Sequence, residues 1–154
     1  YQEMIASTTQ LNTVGAVLGQ DPAVHALTDI TGFGLAGHVL EIARGSGLDA
    51  SITFSALPVL PGVTELIASG YFTGASDRNW ESYGTDIRLA NGAGPEQRIL
   101  VTDPQTSGGL LACVAPEAVD RVLAAFRQAG FQRAAAIGVM TDRQSERSRV
   151  QFVG

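Results

Sequence analysis

The residues best suited to chemistry lie in the run Thr28-Asp29-Ile30-Thr31-Gly32-Phe33-Gly34-Leu35-Ala36-Gly37-His38. A strand-like approach delivers a carboxylate, two glycines turn the chain, and a helical pattern leaves it. This layout aims a negative side chain and the free N–H groups of a helix start at one point. Helix starts attract anions and carboxylates hold hard divalent cations, so the chemistry it suits is metal-bound phosphate. Magnesium takes one or two protein carboxylates together with phosphate oxygens, which a single Asp at a turn can satisfy. Capping the coming helix or turn is the other job open to Asp29. Gly32 and Gly34 suit either use, because both need a tight turn. Close approach of a ligand is the use that calls for both.

A second cluster is Asp103-Pro104-Gln105-Thr106-Ser107-Gly108-Gly109. Asp-Pro opens a turn, and the hydroxyls and N–H groups after it can face an anion. A plain strand-to-strand connection is the alternative. Asp77-Arg78-Asn79-Trp80 reads as a ligand lip or as a surface loop pinned by Trp80. His38 falls inside a helical pattern without a partner at metal-binding spacing, so it reads as packed or hydrogen-bonded. His25 alternates with Val24 on a strand and reads as exposed or at an edge; neither histidine makes a convincing catalytic base. Cys113 is the one cysteine and lies in an apolar run, which excludes an internal disulfide and suits a core thiol. Arg143, Arg147 and Arg149 stand among Asp142 and Glu146, as in a solvated turn. All ten positive side chains are arginines. A step that needs a lysine must therefore draw it from outside this chain.

The elements that position these residues follow from periodicity. The pattern predicts a helix over 3–18 with Leu11, Val14 and Leu18 on one face, then a strand over 24–28. Leu35, Val39, Leu40, Ile42 and Ala43 give a second helix, ended by Gly45-Ser46-Gly47. Alternation over 48–54 predicts a half-buried strand. The rigid connector Leu57-Pro58-Val59-Leu60-Pro61-Gly62 leads to a short helix at Val63, Leu66 and Ile67. Residues 71–97 lack periodicity and read as one long loop. Strands are predicted over 98–102 and 110–114, joined by the 103–109 turn. A helix then runs from Pro116 through Val119, Val122, Leu123 and Phe126 to Gly130, and two strands follow over 134–140 and 149–153. The order α-β-α-β-α-loop-β-β-α-β-β gives an α+β fold in which helices cover a mixed sheet.

At 154 residues and 45% hydrophobic content, the chain can bury the core of one domain. A formal charge of −5 and a pI near 4.8 give no electrostatic case for nucleic acid. No apolar run approaches the ~20 residues that span a bilayer. No signal peptide is expected, and a cytoplasmic protein is.

Thr28–His38 and Asp103–Leu110 together resemble the C-terminal half of the selenophosphate synthetase (selenide, water dikinase) family. Leu57–Gly62 and Arg78-Asn79 also match its pattern, as does Thr9-Gln10-Leu11-Asn12 more loosely. The resemblance runs from about Ile5 to Met140, and the two long motifs set it apart from other members of the aminoimidazole ribonucleotide synthetase superfamily. It implies a three-layer α/β/α domain with a mixed sheet, packed against an N-terminal domain that this chain does not contain. It also implies a reaction in which ATP, selenide and water give selenophosphate, orthophosphate and AMP, with Mg²⁺ required. The catalytic cysteine or selenocysteine and its lysine would sit in that other domain. By this resemblance Asp29 falls on an acidic Mg²⁺ ligand, Thr31, Gly32 and Gly34 on the adjoining nucleotide-binding turn, and the whole protein is a homodimer. This chain alone would be inactive.

Three departures from the family pattern stand out. Thr13 replaces a common lysine, Gly74-Ala75-Ser76-Asp77-Arg78-Asn79 carries a negative charge where the family carries a positive one, and residues 81–97 show no match to the pattern. Another ATP-dependent synthetase or maturation enzyme of the superfamily, or a non-catalytic binding module, would share much of this pattern. The gene upstream of Tyr1 separates these readings.

Overall fold

The computed structural model describes residues 1–154. Its helices are α1 (Gln2–Thr9), α2 (Val14–Leu18), α3 (Gly34–Ser46), α4 (Val63–Ala68), α5 (Ala75–Tyr83), α6 (Pro95–Thr102) and α7 (Val119–Gln128). Its strands are β1 (Val24–Asp29), β2 (Leu48–Thr53), β3 (Ile87–Arg88), β4 (Leu110–Val114), β5 (Gly138–Asp142) and β6 (Val150–Val153). The α+β class and the mixed sheet are as the sequence leads one to expect.

The larger sheet has the order β3-β6-β2-β5. β6 runs parallel to both β2 and β3, and β5 runs antiparallel to β2. Side chains alternate across a strand, so Ala50, Ile52, Val150 and Phe152 share one face and are buried. Their neighbours Asp49, Ser51 and Gln151 turn the other way. α3 covers the apolar face with Leu35, Ala36, Val39, Leu40 and Ala43. It stops at Gly47, whose φ of 67° is left-handed. α5 and α6 pack beside α3.

The smaller sheet is the antiparallel pair β1–β4, with Ala26 opposite Cys113 and Asp29 opposite Leu110. Leu27, Leu110, Ala112 and Val114 pack on a second core of Leu18, Ala115, Ala118, Val122 and Phe126. Phe131 meets Phe126 edge-on, 6.1 Å between ring centres.

Four sequence expectations change. The helix expected over 3–18 is two, α1 and α2, because Gln10 turns extended. Thr8 and Thr9 hydroxyls bond back to the Met4 and Ile5 carbonyls in the last turn of α1, a competition that weakens helices. Leu11, expected on the buried face, is consequently exposed.

The strand expected over 98–102 is the second half of α6. Pro95 stands at the first helical position, and the Gln97 side chain accepts the Gly94 N–H at 2.7 Å. These start signals outweigh the strand-favouring run Ile99-Leu100-Val101-Thr102, whose β-branched Ile99, Val101 and Thr102 form the buried stripe of the helix. The loop expected over 71–97 contains α5 and β3. The buried stripe of α5 is Ser76, Asn79 and Tyr83, so apolar periodicity could not reveal it. Finally, the strand expected over 134–140 begins at Gly138, and β2 separates it from β6.

Candidate functional site

Asp29 ends β1 and is exposed. The cap position of α3 belongs to Phe33, and no side chain caps this helix. Asp29 therefore does not do the capping job that its position made possible, and its carboxylate has no protein hydrogen-bond partner. No three His, Cys, Asp or Glu side chains gather anywhere in the chain. A cation held at Asp29 must complete its shell with phosphate, water or another segment.

Thr31 is fixed at both ends of its backbone. Its N–H donates to His38 Nε2 at 3.0 Å, and its carbonyl accepts from Gly34 at 3.1 Å and Gln105 at 3.0 Å. The two glycines of the turn have different reasons to be there. Gly34 has φ 66°, and a methyl group on it would lie 2.7 Å from the Thr102 carbonyl carbon. Folding alone demands glycine at that position. A methyl group on Gly32 would meet nothing within 4 Å, and Gly32 is exposed without a left-handed φ. Neither packing nor strain calls for glycine at 32, which leaves open backbone beside Asp29.

The second motif closes on the first. The Ile30 N–H donates to the Gly109 carbonyl at 3.0 Å, and a side chain on Gly108 would run into the Ile30 carbonyl oxygen. Asn12, from the loose Thr9–Asn12 match, donates to the Gly108 carbonyl at 3.1 Å. Asp103 does not face solvent as a second free acid. It accepts from the Thr73 N–H at 3.0 Å and the Thr73 hydroxyl at 2.7 Å, tying down the segment before α5. The structure thus brings Thr28–His38, Asp103–Leu110 and Asn12 to one place.

Polar residues behind this surface hold it in place, and sequence reasoning gave none of them this role. Asn79 donates to both the Gly32 and Thr102 carbonyls at 2.9 Å, joining α5, α6 and the turn. Ser76 and Thr102 share a buried hydrogen bond of 2.6 Å. Tyr83 donates to the Phe33 carbonyl at 2.5 Å, and burial pushes its phenol up to about 12. Arg78-Asn79 was visible as a motif match. Ser76 and Tyr83 carried no sequence signal, because a polar helix stripe looks like a loop.

The other candidates stand apart from the turn. His25 is exposed. Cys113 is half-buried in β4, and burial pushes its thiol up, away from the reactive thiolate. Trp80 carries the Arg98 guanidinium 5.8 Å above its ring, and Arg98 pairs with Asp77 at 2.7 Å, so this cluster is a pinned surface. Arg143 and Arg147 line a polar cleft of about 300 Å³ with Glu146, Ser148 and the 2.6 Å ion pair Arg44–Asp86.

Comparison with known proteins identifies the family of the chain. Residues 3–151 match the family model described as AIR synthase related protein, C-terminal domain. A relative from Burkholderia ambifaria named "Selenide, water dikinase" is 61% identical over 142 residues, 92% of this chain and 40% of the relative. Relatives of the same name from Paraburkholderia xenovorans and Dechloromonas aromatica are 55% and 52% identical, covering 99% and 92% of this chain and 42% and 41% of their own. The chain spans about 40% of the length of the relatives it matches. Among solved structures, the hydrogenase maturation protein HypE of E. coli shares the fold with a TM-score of 0.59 at 24% identity, over 99% of this chain and 40% of that one. With a model match over nearly its whole length and the glycine turn and its partner loop in one surface, this chain belongs to the C-terminal domain family of AIR synthase related proteins.

Proposed function

We propose that the chain is the C-terminal domain of a two-domain selenophosphate synthetase, residues 1–154 forming that one domain. The whole protein makes selenophosphate, AMP and orthophosphate from ATP, selenide and water. The relatives named selenide, water dikinase support this reading, and the observation that carries it is the unbonded Asp29 carboxylate beside the open backbone of Gly32.

In this reading Asp29 holds Mg²⁺ against the ATP phosphates, and the fit is good. The carboxylate is exposed, nothing in the protein competes for it, and an uncapped helix start lies beside it. A Mg²⁺ ion held by Asp29 would supply positive charge to offset the negative charge on the phosphates. Thr31 and Gly32 present the turn to the phosphates, and Gly34 sets the direction in which α3 begins. His38, Gln105 and Asn79 keep that turn rigid, so little ordering remains when nucleotide arrives.

ATP and selenide are the substrates, and the protein's own N-terminal domain supplies the nucleophile, the lysine and most of the ATP site. That assignment agrees with a chain that has no lysine. In the same reading the complete protein is a cytoplasmic homodimer with no nucleic-acid or membrane partner; this chain carries a net charge of −5, and none of its helices is long and apolar enough to cross a membrane. The test is Asp29→Asn in the complete enzyme. It should raise the Mg²⁺ concentration needed for half-maximal turnover and cut turnover by about a hundredfold or more. Unchanged Mg²⁺ dependence and turnover would show that Asp29 is not the ligand.

A further inference from the structure

His38 is a buried imidazole, 6% exposed, on the first turns of α3. Its Nε2 lies 3.0 Å from the Thr31 amide nitrogen and 3.2 Å from the Thr31 hydroxyl. A backbone amide can only donate, so Nε2 must present its lone pair and the ring proton must sit on Nδ1. Nδ1 is buried without a hydrogen-bond partner; Glu41 Oε2, one helical turn on, lies 3.4 Å from it. Phe33 walls the ring, 6.0 Å between centres. The Thr31 carbonyl already has two donors, so the imidazole is what satisfies the other end of this residue.

We propose that His38 is a positioning residue for the Asp29–Gly34 turn. As the neutral Nδ1–H tautomer it accepts the Thr31 amide proton, and this fixes the direction in which Asp29 and Gly32 meet their ligand. Glu41 faces the Nδ1 proton and biases the ring toward that tautomer. The inference rests on the reading of this turn as the Mg²⁺–phosphate surface, and His38 itself touches no reacting atom.

Two measurements on the complete protein test it. In ¹⁵N-histidine-labelled protein, the His38 ring, identified by its loss in His38→Gln, should show a protonated Nδ1 and an unprotonated Nε2. The opposite tautomer would overturn the proposal. In turnover assays, His38→Leu removes the acceptor, whereas the amide oxygen of His38→Gln can take the place of Nε2. His38→Leu should raise the KM for Mg²⁺–ATP by about tenfold or more, and His38→Gln should stay within about threefold of the parent. Equal loss in both variants, or no loss in either, would reduce His38 to packing. If His38→Leu fails to fold, the Thr31 amide resonance decides. Its hydrogen-bonded, low-field position should survive in His38→Gln, and its disappearance would count against the proposal. The tautomer result is independent of Asp29, so a negative Asp29→Asn experiment would remove the ligand reading without being mistaken for failure of the His38 contact.

Discussion

Side by side in the turn, Gly32 and Gly34 separate folding from ligand approach. Gly34 combines a left-handed φ with backbone at 2.7 Å, so Gly34→Ala should destabilise the protein by about 2 kcal/mol or more, read as a lower urea midpoint. Gly32→Ala meets empty space and should leave the stability within about 0.5 kcal/mol of the parent's. If the turn cradles phosphate, Gly32→Ala should nevertheless raise the KM for Mg²⁺–ATP. A Gly32→Ala protein with parental stability and parental KM would remove the reason for placing phosphate there. The same scale separates the two acids of the motifs. Asp29 is free and exposed, whereas Asp103, equally prominent in sequence, is spent on Thr73.

Among the elements, the contrast between α3 and α5 explains what the sequence could and could not tell. α3 buries Leu35, Val39, Leu40 and Ala43 at helical spacing, and its stop at Gly47 is an ordinary glycine terminus. Its length and direction, and the placing of Asp29 before it, follow from pattern alone. α5 buries Ser76 and Asn79, so its periodicity is written in hydrogen-bonding groups that hydropathy counts as surface. α6 holds a related ambiguity: a run rich in β-branched residues can serve a strand or a buried helix stripe, and Pro95 and Gln97 decide between them. Asn79 is the element-scale test, since one amide joins three segments. Asn79→Ala should cost about 2–3 kcal/mol by leaving the Gly32 and Thr102 carbonyls without their donor. Chemical denaturation measures this, and a cost under about 0.5 kcal/mol would mean the stitch is idle.

For the whole molecule, acid stability depends on how the C-terminal strand is anchored. Asp49 on β2 accepts the N–H groups of Gln144 at 3.0 Å and Arg149 at 2.8 Å, spanning the turn that leads into β6. The Gln144 N–H foremost, then that of Arg149, holds its carboxyl below the ordinary 3.8. A depressed carboxyl contributes stability above its unfolded value and loses it as pH falls through the folded one. The stability gap between the parent and Asp49→Asn should therefore be full at neutral pH and shrink below about pH 4, as urea midpoints between about pH 2.5 and 7 would show. A gap that stays constant over that range would assign the effect to something other than this carboxyl. The surface tells a complementary story. α1 buries no residue, and Met4, Ile5 and Leu11 lie exposed in a chain that spans 40% of its relatives' length.

The contact of Gly108 with the Ile30 carbonyl carries one more consequence. With Asn12 fastened to the same peptide, the two signature loops behave as a single machined part. Chimeras with relatives should therefore tolerate exchange of both loops together far better than exchange of either alone. A library that randomises one loop while holding the other would mostly sample misfits.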